Sequence, residues 1–203
     1  LQLELGCGKG RFTADTAAQN PDIFLAAIEK VPDAMVVGME RVTERGLENV
    51  RFLDRDAANL LDMFAPGEVS RIYINFPDPW KKSRQHKRRL TYAGFLALYA
   101  NVLPLGGEIW FKTDDDDLFR DSLHYFPAAG FEITWQTFDL HANEPDWNLR
   151  TEHEGMFTEM GIPIKALIAR KGPDSTVTWV EPKELARRLE PEEEADPAGE
   201  VQE

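Results

Sequence analysis

Four carboxylates and one dense cluster of cations are the groups in this chain best placed to do chemistry. Glu4 precedes a glycine turn in "LELGCGKGRF", with Gly6, Gly8 and Gly10 spaced two apart. Such a turn lets the backbone approach a ligand closely, just before a helix N-terminus. Glu29 closes "LAAIEK", and Asp56 follows in "FLDRDAANL". A carboxylate at the end of a second strand can accept both hydroxyls of a ribose, and one after a third strand can meet an adenine amino group. Together the three acids suit a neutral nucleoside carrying an ammonium group, and they would repel a pyrophosphate. Asp78 sits in "NFPDPW", where prolines fix the backbone and Trp80 offers a stacking face for a base. Directly after it, Lys81, Lys82, Arg84, Lys87, Arg88 and Arg89 place six positive charges in nine residues, with no acid among them, in a chain of net charge -13. Solvated charged faces mix signs, so this run reads as a grip on phosphates, and six contacts would give a log-log salt slope of up to about -5 on a duplex.

The elements that must position these groups follow from short apolar runs alternating with amphipathic segments. Strands are expected at Leu1–Leu5, Phe24–Ile28, Val50–Leu53, Arg71–Asn75, Glu108–Lys112, Phe131–Thr137 and Ile164–Ala169. Helices are expected near Arg11–Gln19, Asp33–Arg45, Asn59–Phe64, Thr91–Val102, Asp115–Ala129 and Glu152–Met160. This alternation implies an α/β fold with a mostly parallel sheet covered on both faces. Ligands of such sheets bind beyond the carboxyl ends of the strands, where the strand order switches. All four acids fall at those ends.

Plainer readings compete at several positions. The glycine turn could hold no ligand, and Asp56 could simply cap the helix after it. Trp80 could pack into the core. The run "TDDDDLF" suits local capping and the helix dipole, and Thr151 with Glu154 forms the T-x-x-E pattern of a capping box. The four histidines show no metal-ligand spacing, so no metal is expected. Cys7, the single cysteine, reads as a small residue lining the glycine loop.

At 203 residues the chain is long enough to bury one core without disulfides or metals. One cysteine excludes an internal disulfide and points to a reducing, cytoplasmic setting. No apolar run approaches the roughly 20 residues of a membrane span, and no signal peptide is evident. The chain opens at Leu1, directly on a strand, so trimming upstream is expected. From Glu181 to Glu203 there are nine acids, three bases and three prolines. Residues 172–203 are therefore expected to form a disordered acidic tail, with a short helix conceivable around Pro182–Leu189.

With "LELGCGKGRF", "NFPDPWKK…HKRRL", "FKTD" and "TEHE" in order, the chain resembles the bacterial tRNA (guanine-N7)-methyltransferases over about Leu1 to Arg170, within a domain expected to span residues 1–171. The middle motif carries most of the specificity. The resemblance implies a Rossmann-like class I methyltransferase fold: a mostly parallel seven-stranded sheet, helices on both faces, and an antiparallel last strand. It implies S-adenosylmethionine as cofactor and N7 of a guanosine in the tRNA variable loop as the methylated atom. It also implies an N-terminal arm ahead of Leu1, and a monomer or homodimer. By position, Glu4, Gly6, Gly8, Gly10, Glu29, Asp56 and Asp78 look like cofactor contacts, with Asp78 also at the reaction centre. Lys82, Asp114, Thr151, Glu152, His153 and Glu154 look like substrate contacts. Arg84, Gln85, His86, Lys87, Arg88 and Arg89 look like the RNA-contacting segment. Lys81 and His153 depart from the family's usual residues without removing a needed charge.

Three rivals remain at this level. An adenine N6 or cytosine N4 methyltransferase shares the proline motif, and a non-catalytic RNA binder could keep the fold. An NAD-dependent oxidoreductase is disfavoured because Arg11 stands where its fingerprint needs a third glycine.

Overall fold

The computed structural model describes residues 1–173 and 175, and in it the expected strands assemble into one sheet. They are β1 (Gln2–Leu5), β2 (Leu25–Glu29), β3 (Val50–Asp54), β4 (Arg71–Asn75), β5 (Glu108–Thr113), β6 (Phe131–Thr137) and β7 (Lys165–Lys171). The helices are α1 (Arg11–Gln19), α2 (Pro32–Glu44), α3 (Leu60–Met63), α4 (Ala93–Val102), α5 (Asp116–Ala128) and α6 (Glu152–Glu159). Strand order is β3-β2-β1-β4-β5-β7-β6. The first five in that order run parallel, and β7 lies antiparallel to both β5 and β6.

Local chemistry reshapes three segments. The helix expected over Asn59–Phe64 is split into a 3-10 turn at Ala57–Asn59 and the short α3. The helix expected from Thr91 begins at Ala93, because Thr91 is buried and takes the Ser122 hydroxyl at 2.8 Å. The basic run, to which the sequence pattern assigned no element, coils as a 3-10 helix over Ser83–Arg88. All but residues 172, 173 and 175 of the expected acidic tail, including the stretch where a short helix was conceivable, lie outside the described residues.

The sequence of β1, Q-L-E-L, shows how the two sheet faces differ. Leu3 and Leu5 enter the main core with Ile72, Ile74, Ile109 and Phe111, against Leu60, Leu96, Tyr99 and Phe119 of α3, α4 and α5. Gln2 and Glu4 point the other way, toward α1, where Tyr73 donates to Gln2 at 2.8 Å and Thr13 to Glu4 at 2.5 Å. Both faces are covered, yet one is apolar and the other carries polar side chains in paired contacts. β1 and β4 are neighbours from which the chain departs in opposite directions, and this switch opens a cleft at their carboxyl ends.

Gly10, at φ 68, holds the glycine turn against α2: a Cβ there would lie 2.7 Å from Gly38 Cα. Gly10→Ala should destabilise the fold by about 2–4 kcal/mol, combining overpacking with left-handed strain. Gly46→Ala provides the control, since φ is 61 with open space around it and only the strain of about 1–2 kcal/mol applies. Urea denaturation compares the two, and equal losses would remove the close approach from the explanation.

Candidate active site

A cleft of about 740 Å³ opens beyond β1, β2 and β4, and Gly6, Glu29, Asp56, Asn75, Asp78, Trp80, Lys87 and Arg88 are among the residues lining it. The topology thus brings together three of the four predicted acids and two of the predicted cations. Gly6, Gly8 and Gly10 all adopt positive φ, and the amides of Gly6 and Cys7 both donate to the Ile28 carbonyl. That pairing folds the turn over the end of β2.

Glu29 is buried, and its carboxylate accepts from Gly8 N at 2.8 Å and from Lys30 N and Val31 N at 2.9 Å each. Asp56 does both things the sequence allowed: it caps the 3-10 turn by accepting from Ala58 N at 2.9 Å, and it lines the cleft. Glu4 is not on the cleft surface. It is 2 % exposed, bonded to Thr13 and, at 3.4 Å, to Asn75 Nδ2. Asn75 lines the cleft, so Glu4 reaches the ligand space through Asn75. Burial pushes the Cys7 thiol up, with the Glu4 and Glu29 charges adding to the effect, which disfavours the nucleophilic thiolate.

Asp78 is exposed on the rim of the cleft. Around it the backbone is strained: Phe76 at φ 51 and Trp80 at φ 43 are the non-glycine residues with positive φ among those described. Bulky residues in that region cost about 1–3 kcal/mol each and persist where the surroundings over-determine them. Phe76 N donates to the Lys112 carbonyl at 2.9 Å, and its ring stacks on His153 and Phe157 at 5.9 and 5.7 Å. Trp80 is half-buried in the cleft wall rather than in the core, with the Arg88 guanidinium 5.1 Å above its ring.

The cationic run divides. Lys81, Lys82, Arg84, Lys87 and Arg88 are exposed, and Gln85 and His86 are half-buried between them. Lys81 reaches Asp115 at 3.4 Å. Arg89 corrects the expectation: it is 1 % exposed, its Nε donates to the Pro79 carbonyl at 2.7 Å, and its Nη1 is paired with Asp121. A guanidinium so enclosed does not meet a phosphate in solution.

The "TEHE" segment is corrected in a similar way. Thr151 and Glu154 form the capping box of α6, and both are buried. Glu154, at 0 % exposure, accepts from Lys112 Nζ at 3.0 Å and Asn148 Nδ2 at 2.7 Å, and lies 2.9 Å from His141 Nε2. Burial works against its charge, but Lys112, Asn148 and His141 outweigh it and hold the carboxyl below the usual range. Its acceptor sites face protein groups, so a direct hold on guanine is not available to it. Glu152 pairs with Arg41 of α2 at 2.9 Å, and His153 is the exposed member of the four. Asp114 is half-buried, with its carbonyl taking Lys165 Nζ at 2.9 Å, while Asp115 is the capping residue of α5.

His141, Glu144 and Glu154 bring ligand-type atoms within 4.8 Å of one another. These atoms are engaged by Lys112, Asn148, Arg150 and Thr158, so the cluster is a hydrogen-bonded network. Sequence reasoning missed Asn75, Lys112 and Asn148. Lys112 left a signal: a lone cation inside the apolar strand "EIWFKT" requires a buried partner.

Burial, with the Glu29 charge adding to it, raises the Glu4 carboxyl from 4.5 to about 7, against hydrogen bonds from Thr13 and Asn75. The folded state therefore binds a proton more tightly than the unfolded chain. This contribution to stability is complete below about pH 4.5 and is lost as pH rises through 7, on the order of 3 kcal/mol in all. Glu4→Gln should flatten that part of the stability profile of the ligand-free protein. A profile identical to wild type between pH 4.5 and 7 would contradict the assignment.

Among the described residues no helix is long and apolar enough to cross a membrane. A family model described as "Putative methyltransferase" matches residues 1–167. The tRNA (guanine-N(7)-)-methyltransferase of Exiguobacterium sibiricum is 48% identical over 164 residues, covering 81% of this chain and 77% of that protein. The proteins of the same name from Desulfitobacterium hafniense and Bacillus subtilis are 43% and 44% identical over 165 and 164 residues, covering 81% of this chain in each case and 76% and 77% of theirs. Among solved structures, TrmN from Thermus thermophilus has a TM-score of 0.61 at 22% identity, covering 83% of this chain and 43% of its own. A Haemonchus contortus phosphoethanolamine N-methyltransferase, solved with S-adenosylhomocysteine, has a TM-score of 0.63 at 13% identity, covering 93% and 42%. These two likenesses concern the fold, whereas the family model spans the glycine turn, the proline motif and the basic run, and the three relatives named above are 43–48% identical over 81% of this chain. On that ground the chain belongs to the family of bacterial tRNA (guanine-N7)-methyltransferases.

Proposed function

We propose that this chain transfers the methyl group of S-adenosylmethionine to N7 of a guanosine in the tRNA variable loop, and that it does so in the cytoplasm. One observation carries the reading: acids suited to a nucleoside cofactor and cations suited to phosphates share a single cleft. When bound, S-adenosylmethionine supplies a methyl group on a sulfonium, already activated for transfer.

The chain's own task is placement. Glu29 takes the ribose hydroxyls. A carboxylate offers about four acceptor sites and Glu29 already accepts three backbone N–H groups, so it accommodates both hydroxyls when Gly8 N–H gives up its bond. Asp56 commits Oδ1 to Ala58 and keeps its other oxygen for an adenine amino group. The glycine turn and the Glu4–Asn75 pair enclose the methionine end. Guanine N7 carries an in-plane lone pair and no proton, so no general base is required. The base becomes cationic as it reacts, and Asp78 faces that charge from the cleft rim. Alignment of well-oriented reactants is worth on the order of 7–11 kcal/mol, and Asp78 adds electrostatic stabilisation to it. Lys82, Arg84, Lys87 and Arg88 hold the RNA backbone beside the mouth. His153, stacked on Phe76, extends the aromatic wall toward the guanine, with Asp114 close to the end of β5.

The reading is tested by incubating the protein with unmodified tRNA and radiolabelled S-adenosylmethionine, then applying borohydride reduction and aniline scission. A single cut in the variable loop is expected. Label without a cut would move the methyl group to an adenine or cytosine amino group, and RNA binding without label would leave a non-catalytic binder. Asp78→Ala should lower kcat by on the order of 10²–10³ while the KM for tRNA changes little; unaltered turnover would take Asp78 out of the reaction. With Arg89 enclosed, five exposed cations remain, so the log-log salt slope of RNA binding should reach about -4.5 at most. A steeper slope would mean that phosphate contacts extend beyond this loop.

A further inference from the structure

We propose that Arg89, the last cation of the basic run, is a positioning residue that holds the Pro77–Trp80 segment, and with it Asp78, in reactive register. The inference rests on the reading of Asp78 given above and adds a residue to it. Three observations converge. First, Arg89 is among the largest fully enclosed side chains of the described structure, at 1 % exposure, whereas the four nearest cations of the run are exposed. Second, its bonds go to the motif and to the scaffold: Nε donates to the Pro79 carbonyl at 2.7 Å, and Nη1 to Asp121 on α5. Third, the peptide it grips lies between Asp78 and Trp80, which is held at φ 43.

Few groups can hold that segment. Pro77 and Pro79 have no N–H to donate, so this stretch lacks two of the backbone bonds that would otherwise pin a loop. The upstream end is fixed by Phe76 N bonding to the Lys112 carbonyl. The downstream end has the Pro79 carbonyl, and the guanidinium of Arg89 meets it. A planar fork can bond a carbonyl and a carboxylate at once, which the point charge of a lysine does not reproduce. The backbone of Arg89 also closes the basic turn, with its N–H on the His86 carbonyl at 2.9 Å. One residue therefore ties the RNA-facing turn, the Asp78 segment and α5 to one another.

Arg89→Lys keeps the charge and loses the fork. With tRNA and S-adenosylmethionine saturating, its kcat should fall on the order of 10²-fold, the penalty of a misplacement near 1 Å, while the salt slope of RNA binding stays at the wild-type value. Arg84→Ala, by contrast, should flatten that slope by about 0.9. Asp121→Asn leaves Arg89 in place but weakens its orienting partner, and should lower kcat less than Arg89→Lys with the same unchanged slope. It also keeps the test decisive should Arg89 variants fold poorly. In an Asp78→Ala background, Arg89→Lys should cost little further turnover, because the two residues act as a unit; a loss from general misfolding would persist there. A flattened salt slope with kcat preserved in Arg89→Lys would overturn the proposal and return Arg89 to phosphate binding. Full turnover in both Arg89→Lys and Asp121→Asn would overturn it as well. If Asp78→Ala itself turns over normally, the reading of Asp78 fails first, and the two failures are told apart.

Discussion

Lys112 places a positive charge in a nearly buried position, at 5 % exposure, and the carboxyl end of the sheet is arranged around how that charge is met. Its ammonium is bonded to Glu154, Asn148 and the Leu149 carbonyl, and its backbone carbonyl holds Phe76 N–H. One residue at the end of β5 therefore fixes the first turn of α6, the loop before it and the entry to the proline motif. A buried ion pair adds little net stability compared with a well-packed apolar pair, but losing one partner is costly. What this pair supplies is position. Because Glu154 is held inward, His153 is presented outward, against Phe76.

The same logic runs through the rest of the cleft. In the proposed reading, positively charged side chains inside the cleft region act on loops, and those outside face the RNA. Lys112 and Arg89 are enclosed and bond to backbone carbonyls or carboxylates of the scaffold, while Lys82, Arg84, Lys87 and Arg88 stay exposed. An acidic body with one exposed basic turn beside the proposed cofactor cleft would disfavour nucleic acid over most of its surface and concentrate it at one mouth. Strain at Phe76 and Trp80 fits this economy, since a loop held at both ends can keep conformations that a free loop would relax.

Much of the fold was legible because period and punctuation agree along the chain. β4 and β6 fall on the residues that the apolar alternation indicates, and α1 begins where the glycine turn ends. The acids at strand ends were legible for the same reason: once the parallel sheet is granted, Glu29, Asp56 and Asp78 must lie on one edge. What stayed hidden was the direction of individual side chains. Arg89 and Arg88 are adjacent and chemically alike, and only the turn of the 3-10 helix sends one inward and the other over Trp80. Glu154 offered two roles, and Lys112, 42 residues earlier in the chain, decided between them. Glu4 looked like a ligand contact because it precedes the glycine turn, but the pleat of β1 points it at Thr13.

Everything proposed for the reaction depends on the cofactor binding in the cleft at the β1–β4 switch, and a crystal structure with S-adenosylhomocysteine would locate it. The expected complex has the ribose on Glu29, the adenine beside Asp56, and the Gly8 N–H released from the Glu29 carboxylate. A nucleoside bound elsewhere, or bound here with the Glu29–Gly8 bond intact and Asp56 untouched, would contradict it.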